Sequence, residues 1–147
     1  MPPDDYPTCA DTYATFIVFA ADADPAAVTE RLGIEPTRLT RREELSVSDR
    51  GVRSLASVNL WSLHSRGKVD SRDSRRHVDW LLDRAESVAD ALRSLQNEGC
   101  RTEIACYWVS KDGHGGPTIP AAQMRRLADL DIELWFDFYG PFDDEPS

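Results

Sequence analysis

The sequence predicts an α+β domain built from two βαβ halves, with a long helix inserted between them. Three observations predict this class: two strands that are apolar on both alternating faces, a similar short helix after each of them, and a later strand in each half that carries a Leu-Trp pair. With the doubly apolar strands in the centre, the halves form a ferredoxin-like two-layer sandwich. The alternative is an α/β domain with alternating βαβα order and a parallel or mixed sheet.

The first half begins with TYATFIVFA at 12–20, whose β-branched and aromatic residues predict a central strand. Asp24 as N-cap, Pro25 at the first helical position and Gly33 as the stop predict a short helix. After a polar stretch with one short edge strand, residues 54–65 predict the Leu-Trp strand of this half.

The second half follows a long amphipathic helix over 75–99, for which Ser74 is the expected cap. RTEIACYWVS at 101–110 predicts the second doubly apolar strand, 120–130 a helix, and 132–140 the last strand. All of this fits one domain over 1–147, with a core of about 12–140 and flexible tails at 1–11 and 141–147.

The two halves also share residues. PAAVTERL at 25–32 and PAAQMRRL at 120–127 have proline, two alanines, arginine and leucine at the same offsets, and Leu60-Trp61 and Leu134-Trp135 follow in the later strands. Good helix formers supply some of these matches by chance, but the shared order of strand, helix and Leu-Trp strand favours a repeat.

Composition excludes several classes of function. No apolar run is long enough to span a bilayer and the N-terminus is acidic, so we expect a cytoplasmic protein without a membrane partner. Three cysteines without a CxxC pair and three histidines without HxH or HxxxH spacing predict no disulfide, metal or cofactor. The net charge of −9 makes a nucleic acid an unfavourable partner.

The charge is unevenly distributed: residues 36–76 hold ten Lys and Arg against five Asp and Glu. One interpretation is that these cations pair with acidic neighbours on solvated loops. The other is an anion-facing patch formed by Arg38, Arg41, Arg42, Arg66, Lys68, Arg75 and Arg76.

The loop SKDGHGG at 110–116 is the main candidate ligand site. Its glycines allow backbone amides to form an anion-binding nest, and Pro120 begins a helix whose N-terminus adds positive potential. It lacks the P-loop and GxGxxG patterns, so a purely structural turn is the competing interpretation. The candidate ligand-binding residues are Trp61, His64, Trp108, Ser110, Gly113, His114, Gly115, Gly116 and Asp137.

Five segments, LGIEPT, LWSLHS, HVDWLL, CYWVSKDGHGG and DLDIELWFDFYG, in this order resemble the bacterial domain-of-unknown-function family 4279 from Tyr13 to Tyr139. The resemblance implies a small cytoplasmic domain and supplies no catalytic residues. We therefore expect a noncatalytic module that engages a protein partner, for example an immunity or regulatory protein, because charge asymmetry favours guided association. The alternative is a small-anion-binding protein or hydrolase that uses the loop at Gly113 to Gly116.

Overall fold

The computed structural model describes residues 4–43 and 45–142, and it confirms the α+β class. Within these residues, four helices accompany a five-stranded mixed sheet of order β2-β5-β1-β6-β7 and a separate β3-β4 hairpin. The elements are β1 Cys9–Phe19, α1 Pro25–Leu32, β2 Arg38–Thr40, β3 Leu45–Val47, β4 Arg53–Leu55, β5 Leu60–His64, α2 Ser74–Ser87, α3 Ala89–Asn97, β6 Arg101–Ser110, α4 Ala121–Asp129 and β7 Glu133–Tyr139.

The two doubly apolar strands, β1 and β6, lie side by side in the centre of the sheet, as predicted. They pair antiparallel, from Phe19 with Arg101 to Cys9 with Ser110, with one bulge near Cys9. The Leu-Trp strands flank this central pair, but they differ in direction: β5 runs antiparallel to β1, whereas β7 runs parallel to β6. A βαβ unit requires parallel strands, so the pairing within the second half fits that description and the pairing of β1 with β5 does not.

The core fills the space between one face of this sheet and the helices. Along β1, Ala14, Phe16 and Val18 are buried while the alternate residues remain partly exposed. Every helix directs its apolar side toward the same face, which makes this a two-layer domain. The helical core residues include Val28, Leu81, Leu82, Leu92, Leu95 and Leu127.

The boundaries of α1 follow the predicted signals. The Asp24 carboxylate accepts a hydrogen bond from the Ala26 amide at 2.9 Å, and Pro25 is the first helical residue. Gly33 ends the helix in the left-handed conformation at φ 68°, which glycine adopts without a steric penalty.

The prediction of one helix over 75–99 is wrong, because the chain breaks at Val88 into α2 and α3. The Ser87 hydroxyl donates to the Arg84 carbonyl at 2.6 Å, and the Val88 amide bonds instead to the Ala85 carbonyl at 3.1 Å. The serine hydroxyl thus binds the carbonyl that the Val88 amide would reach in a continuing helix, and back-bonding of this kind bends helices. The cap was also misplaced by one residue: the N-cap of α2 is Asp73.

The other differences concern the ends of elements. The strand expected over 54–65 is interrupted, since β4 ends at Leu55 and β5 begins at Leu60. β1 begins at Cys9, inside the predicted N-terminal tail, while the parts of the predicted tails at 1–3 and 143–147 lie outside the described residues. Among the described helices, none has the length and apolar character needed to cross a membrane.

Candidate functional site

The glycine loop joins β6 to α4 and is exposed to solvent over 111–115. Gly113 and Gly115 have φ values of 89° and 85°, which side chains adopt only with strain. At Gly115 space is limiting as well, because a Cβ there would lie 2.5 Å from Cβ of Thr8. The second glycine therefore lets the loop pack against the segment that precedes β1.

Hydrogen bonds inside the protein hold this loop in place. The Ser110 hydroxyl accepts the Gly113 amide at 2.8 Å and donates to the His114 carbonyl at 3.0 Å. The Tyr6 hydroxyl donates to the Gly116 carbonyl at 2.6 Å. One amide of the predicted anion nest is thus already used by the fold, which leaves fewer donors for a ligand.

A cleft of about 300 Å³ lies beside the loop and brings five of the nine predicted ligand residues together. Its exposed apolar wall is Phe138, and Trp108 lies beneath with its ring edge-on to Phe138 at 5.8 Å between centroids. The Trp108 indole nitrogen is buried and has no hydrogen-bond partner among the described residues. The lining residues are Trp108, Ser110, Gly113, His114, Gly115, Phe138, Tyr139 and Gly140.

Three other predicted ligand residues lie away from the cleft. Trp61 is fully buried in the core, where its indole donates to the Thr29 hydroxyl at 3.1 Å. His64 and Asp137 lie on the sheet face that the helices leave uncovered, and Asp137 accepts from the Tyr139 hydroxyl at 3.1 Å. Gly116, the remaining predicted residue, belongs to the loop but does not line the cleft.

The predicted basic patch is divided between the two ends of β1. Near the end of β1, Arg41 and Arg42 pair with Asp24 and Asp22, and Arg38 donates to the Thr40 hydroxyl. Near its beginning, the ion pairs are Arg66 with Asp11 at 3.0 Å, Arg75 with Asp73 at 2.7 Å and Arg76 with Asp4 at 2.8 Å. Carboxylates therefore neutralise much of the positive charge.

A buried Ser65–His77 pair was not identified from the sequence. The His77 Nε2 lies 2.8 Å from the Ser71 carbonyl, which can only accept, so Nε2 carries the proton. Nδ1 then accepts from the Ser65 hydroxyl at 2.6 Å, and the same hydroxyl oxygen accepts the Ala14 amide at 3.0 Å. Burial lowers the pKa of His77, so the ring is a neutral connection between α2 and the sheet.

The cysteines are poor nucleophiles. Burial raises the pKa of Cys9 to about 11 and that of Cys106 to about 12. Burial also raises the pKa of the Cys100 thiol. Because the thiolate is the reactive form, all three remain in the less reactive thiol form near neutral pH.

The face of the sheet that the helices leave uncovered, which we call the open face, carries a row of aromatic rings in contact with one another. One ring from each of β5, β1, β6 and β7 takes part, and Phe142 extends the row. Tilted and edge-on contacts of this kind are favourable. The centroid distances are 6.0 Å for His64–Tyr13, 5.1 Å for Tyr13–Tyr107, 5.2 Å for Tyr107–Tyr139 and 6.0 Å for Tyr139–Phe142.

Charged groups frame this row. The Arg66 guanidinium lies 4.3 Å from the centre of the Tyr13 ring while it pairs with Asp11. Burial, and then the negative charge of Asp11, raise the pKa of Tyr107, and the hydrogen bond to Asp137 raises the pKa of Tyr139. The hydroxyls therefore stay protonated, and the surface can offer aromatic contact together with hydrogen bonds.

The sequence contained a signal for this row. In β1 and β6, which are apolar on both faces, Tyr13 and Tyr107 occupy the alternation opposite to the core residues Ala14 and Cys106. A central strand with tyrosine at the positions that alternate with its core residues indicates that its second face is accessible.

The profile of a family described as Domain of unknown function (DUF4279) matches residues 10–141. The chain belongs to this family. No curated protein and no solved structure matches the chain. The description of DUF4279 specifies no activity.

Proposed function

We propose that this DUF4279 domain is a noncatalytic binding module that engages a protein partner through the open face. The supporting observation is the row of rings at Tyr13, Tyr107 and Tyr139 with Arg66 laid over it. Tyrosine and arginine are enriched among the residues that dominate binding energy in protein interfaces. Rings that already contact one another lose little further freedom when a partner covers them.

The charges of the open face favour a protein over a nucleic acid. Four carboxylates, those of Asp11, Glu103, Glu133 and Asp137, lie on the same side as the aromatic row and outnumber the guanidinium groups of Arg38, Arg66 and Arg101 on that side. These carboxylates would repel a phosphate backbone, whereas lysine or arginine side chains of a protein would complement them. The expected partner is a protein with a cationic rim around an apolar centre, and an immunity or regulatory role is consistent with such a module.

The condition of the reactive groups supports a noncatalytic role. The Ser65–His77 pair is buried, and both ring nitrogens of His77 have partners inside the protein. A general base needs access to the proton that it removes. The raised pKa values of Cys9 and Cys106 argue in the same direction.

The test is capture of partners from a lysate of the source organism by immobilised protein, with Tyr107→Ser as the open-face variant. Met124→Ser is the matched control, because Met124 is an exposed apolar residue on α4, away from this face. We expect a protein that the native chain and the control retain and that Tyr107→Ser loses at least tenfold. Equal capture by all three chains, or capture of nucleic acid in place of protein, would contradict the proposal.

Small-anion binding at the glycine loop is a second candidate, supported by the cleft that brings Ser110, Gly113, His114 and Gly115 together. Thermal-shift measurements with inorganic phosphate, nucleotides and carboxylates test it directly. A stabilisation that disappears in His114→Ala would favour this function. An unchanged melting temperature with every compound would remove it.

A further inference from the structure

β7 is a free edge of the five-stranded sheet. β6 pairs with one side of it, and no described strand pairs with the other. The edge is also apolar: Trp135 is 45% exposed, Phe138 59% and Tyr139 42%. These three side chains lie on both faces of the strand, so β7 exposes apolar surface along its edge and not only on the open face.

Proteins usually protect such an edge, because its unpaired amides and carbonyls can pair with another strand. The opposite edge of this sheet is protected by brevity, since β2 has only three residues. β7 has seven residues, and its two carboxylates, Glu133 and Asp137, are the only charged side chains within it. Its protection against indiscriminate pairing therefore depends on where those two charges fall relative to an incoming strand.

We propose that a second copy of this chain pairs with β7 in antiparallel fashion about Phe136, so that two sheets join into one. A twofold axis at Phe136 places each carboxylate opposite an aromatic ring on the open face and apolar residues opposite each other on the helix face. The residue pairs across the interface are Glu133 with Tyr139, Leu134 with Phe138, Trp135 with Asp137, and Phe136 with Phe136.

The two neighbouring symmetric registers oppose like charges. Centring the pair on Trp135 places Glu133 directly opposite Asp137, and centring it on Asp137 places the two Asp137 carboxylates opposite each other. Like charges in directly opposed positions destabilise a strand pair. Directly opposed residues of an antiparallel pair have their side chains on the same face of the sheet. A symmetric pair must therefore place one residue of β7 opposite its own copy. Among these three neighbouring registers, the one at Phe136 alone separates the carboxylates.

This alternation is the reason to favour a second copy over a different protein at this edge. A twofold rotation places each acidic residue of one copy opposite an aromatic residue of the other, so β7 is complementary to a second β7. An unrelated strand would have this complementary pattern only by coincidence. The joined sheet would also continue the open face across both copies. Each chain carries a net charge of −9, so long-range repulsion opposes the pairing and added salt should strengthen it.

The experiment is sedimentation equilibrium of the full chain over a concentration series, with three variants. Trp135→Glu places a carboxylate opposite Asp137 of the second copy, whereas Trp135→Lys removes the same indole and places a cation there. Trp135→Glu with Asp137→Lys restores opposite charges at both 135–137 pairs of the proposed register. Circular dichroism and thermal melts establish that each variant is folded.

We expect the native chain to reach twice its mass of 16.5 kDa. Added salt should lower the dimer dissociation constant. Trp135→Glu should raise the dimer dissociation constant at least tenfold, and Trp135→Lys and the double variant should both remain close to the native value. A native chain that stays monomeric up to about millimolar concentration, the range of very weak association, would overturn the proposal. So would a dimer that Trp135→Glu leaves intact, or a double variant that dissociates as readily as Trp135→Glu.

Discussion

The two strands that flank the central pair, β5 and β7, carry the same Leu-Trp sequence and use it in opposite ways. In β5, Trp61 and Leu63 face the helices and are buried. In β7, Leu134 and Phe136 pack against the core, whereas Trp135 is on the open face with its indole donating to Glu103 at 3.0 Å. A shift of one residue exchanges the faces of a whole strand.

The difference shows that a residue pair alone does not determine the face that a strand buries. β5 lies between β2 and β1, so a neighbouring strand on each side fixes which of its residues face the core. β7 has one neighbour in the sheet and supplies aromatic residues to both faces. Side chains that stability does not require at an edge are available for binding, so substitutions at covered positions should cost more stability than substitutions at accessible ones.

The largest effect is expected for Trp61→Ala on the covered face. The substitution empties a large buried volume and removes the hydrogen bond to Thr29, and losses of about 3–5 kcal/mol in the free energy of unfolding are typical of buried tryptophan. Urea denaturation followed by circular dichroism measures this. A loss smaller than that of Trp135→Ala would mean that the assignment of faces is reversed.

A smaller loss is expected for Ser65→Ala at the junction of α2 and the sheet. The change leaves the Ala14 amide and Nδ1 of His77 without their buried partner, which costs about 1–3 kcal/mol. The matched control is Ser62→Ala, because Ser62 lies on β5, just before Ser65, and is partly exposed and bonded to the Arg38 carbonyl. Urea denaturation of both variants checks the contrast, and equal losses would contradict it.

The dependence of stability on pH should also reflect burial on the covered side. Because burial lowers the pKa of His77, the unfolded chain binds a proton near pH 6.5, where the folded chain does not. Stability should therefore fall as the pH decreases below about 6.5, and this part of the fall should be absent in His77→Gln. Urea titrations from pH 7 to pH 5 measure the difference, and parallel curves for the two chains would contradict it.

Much of the fold could be predicted because its signals are local. Asp24, Pro25 and Gly33 fix the ends of α1 through short-range sterics and capping, and double-faced apolarity identifies β1 and β6 as central. The break at Val88 could not be predicted in this way, because the bond from the Ser87 hydroxyl to the Arg84 carbonyl that accompanies it is visible only in the structure. Local composition still indicated a continuous helix there.

The candidate sites were harder to predict, because they depend on which strands become neighbours. The glycine loop was predicted from local composition, and five of the nine predicted ligand residues line the cleft beside it. The aromatic row requires that Tyr13, Tyr107 and Tyr139 come from three adjacent strands, and their sequence separation conceals this. Alignment of Leu60-Trp61 with Leu134-Trp135 pairs Leu63 with Asp137, but the structure places these two residues on opposite faces of the sheet.

The smallest effect on stability is expected for Trp135→Ala, the counterpart of Trp61→Ala. The indole is 45% exposed and its hydrogen bond to Glu103 is at the surface, so the monomer should lose no more than about 1 kcal/mol. Urea denaturation at a concentration where the native chain and the variant are both monomeric measures this loss without a contribution from dimerisation. If the loss instead approached that of Trp61→Ala, Trp135 would be a core residue and the edge of β7 would be a structural element. A small loss would mean that folding does not require the exposed indole of Trp135. The indole would then be available for binding at the edge of β7.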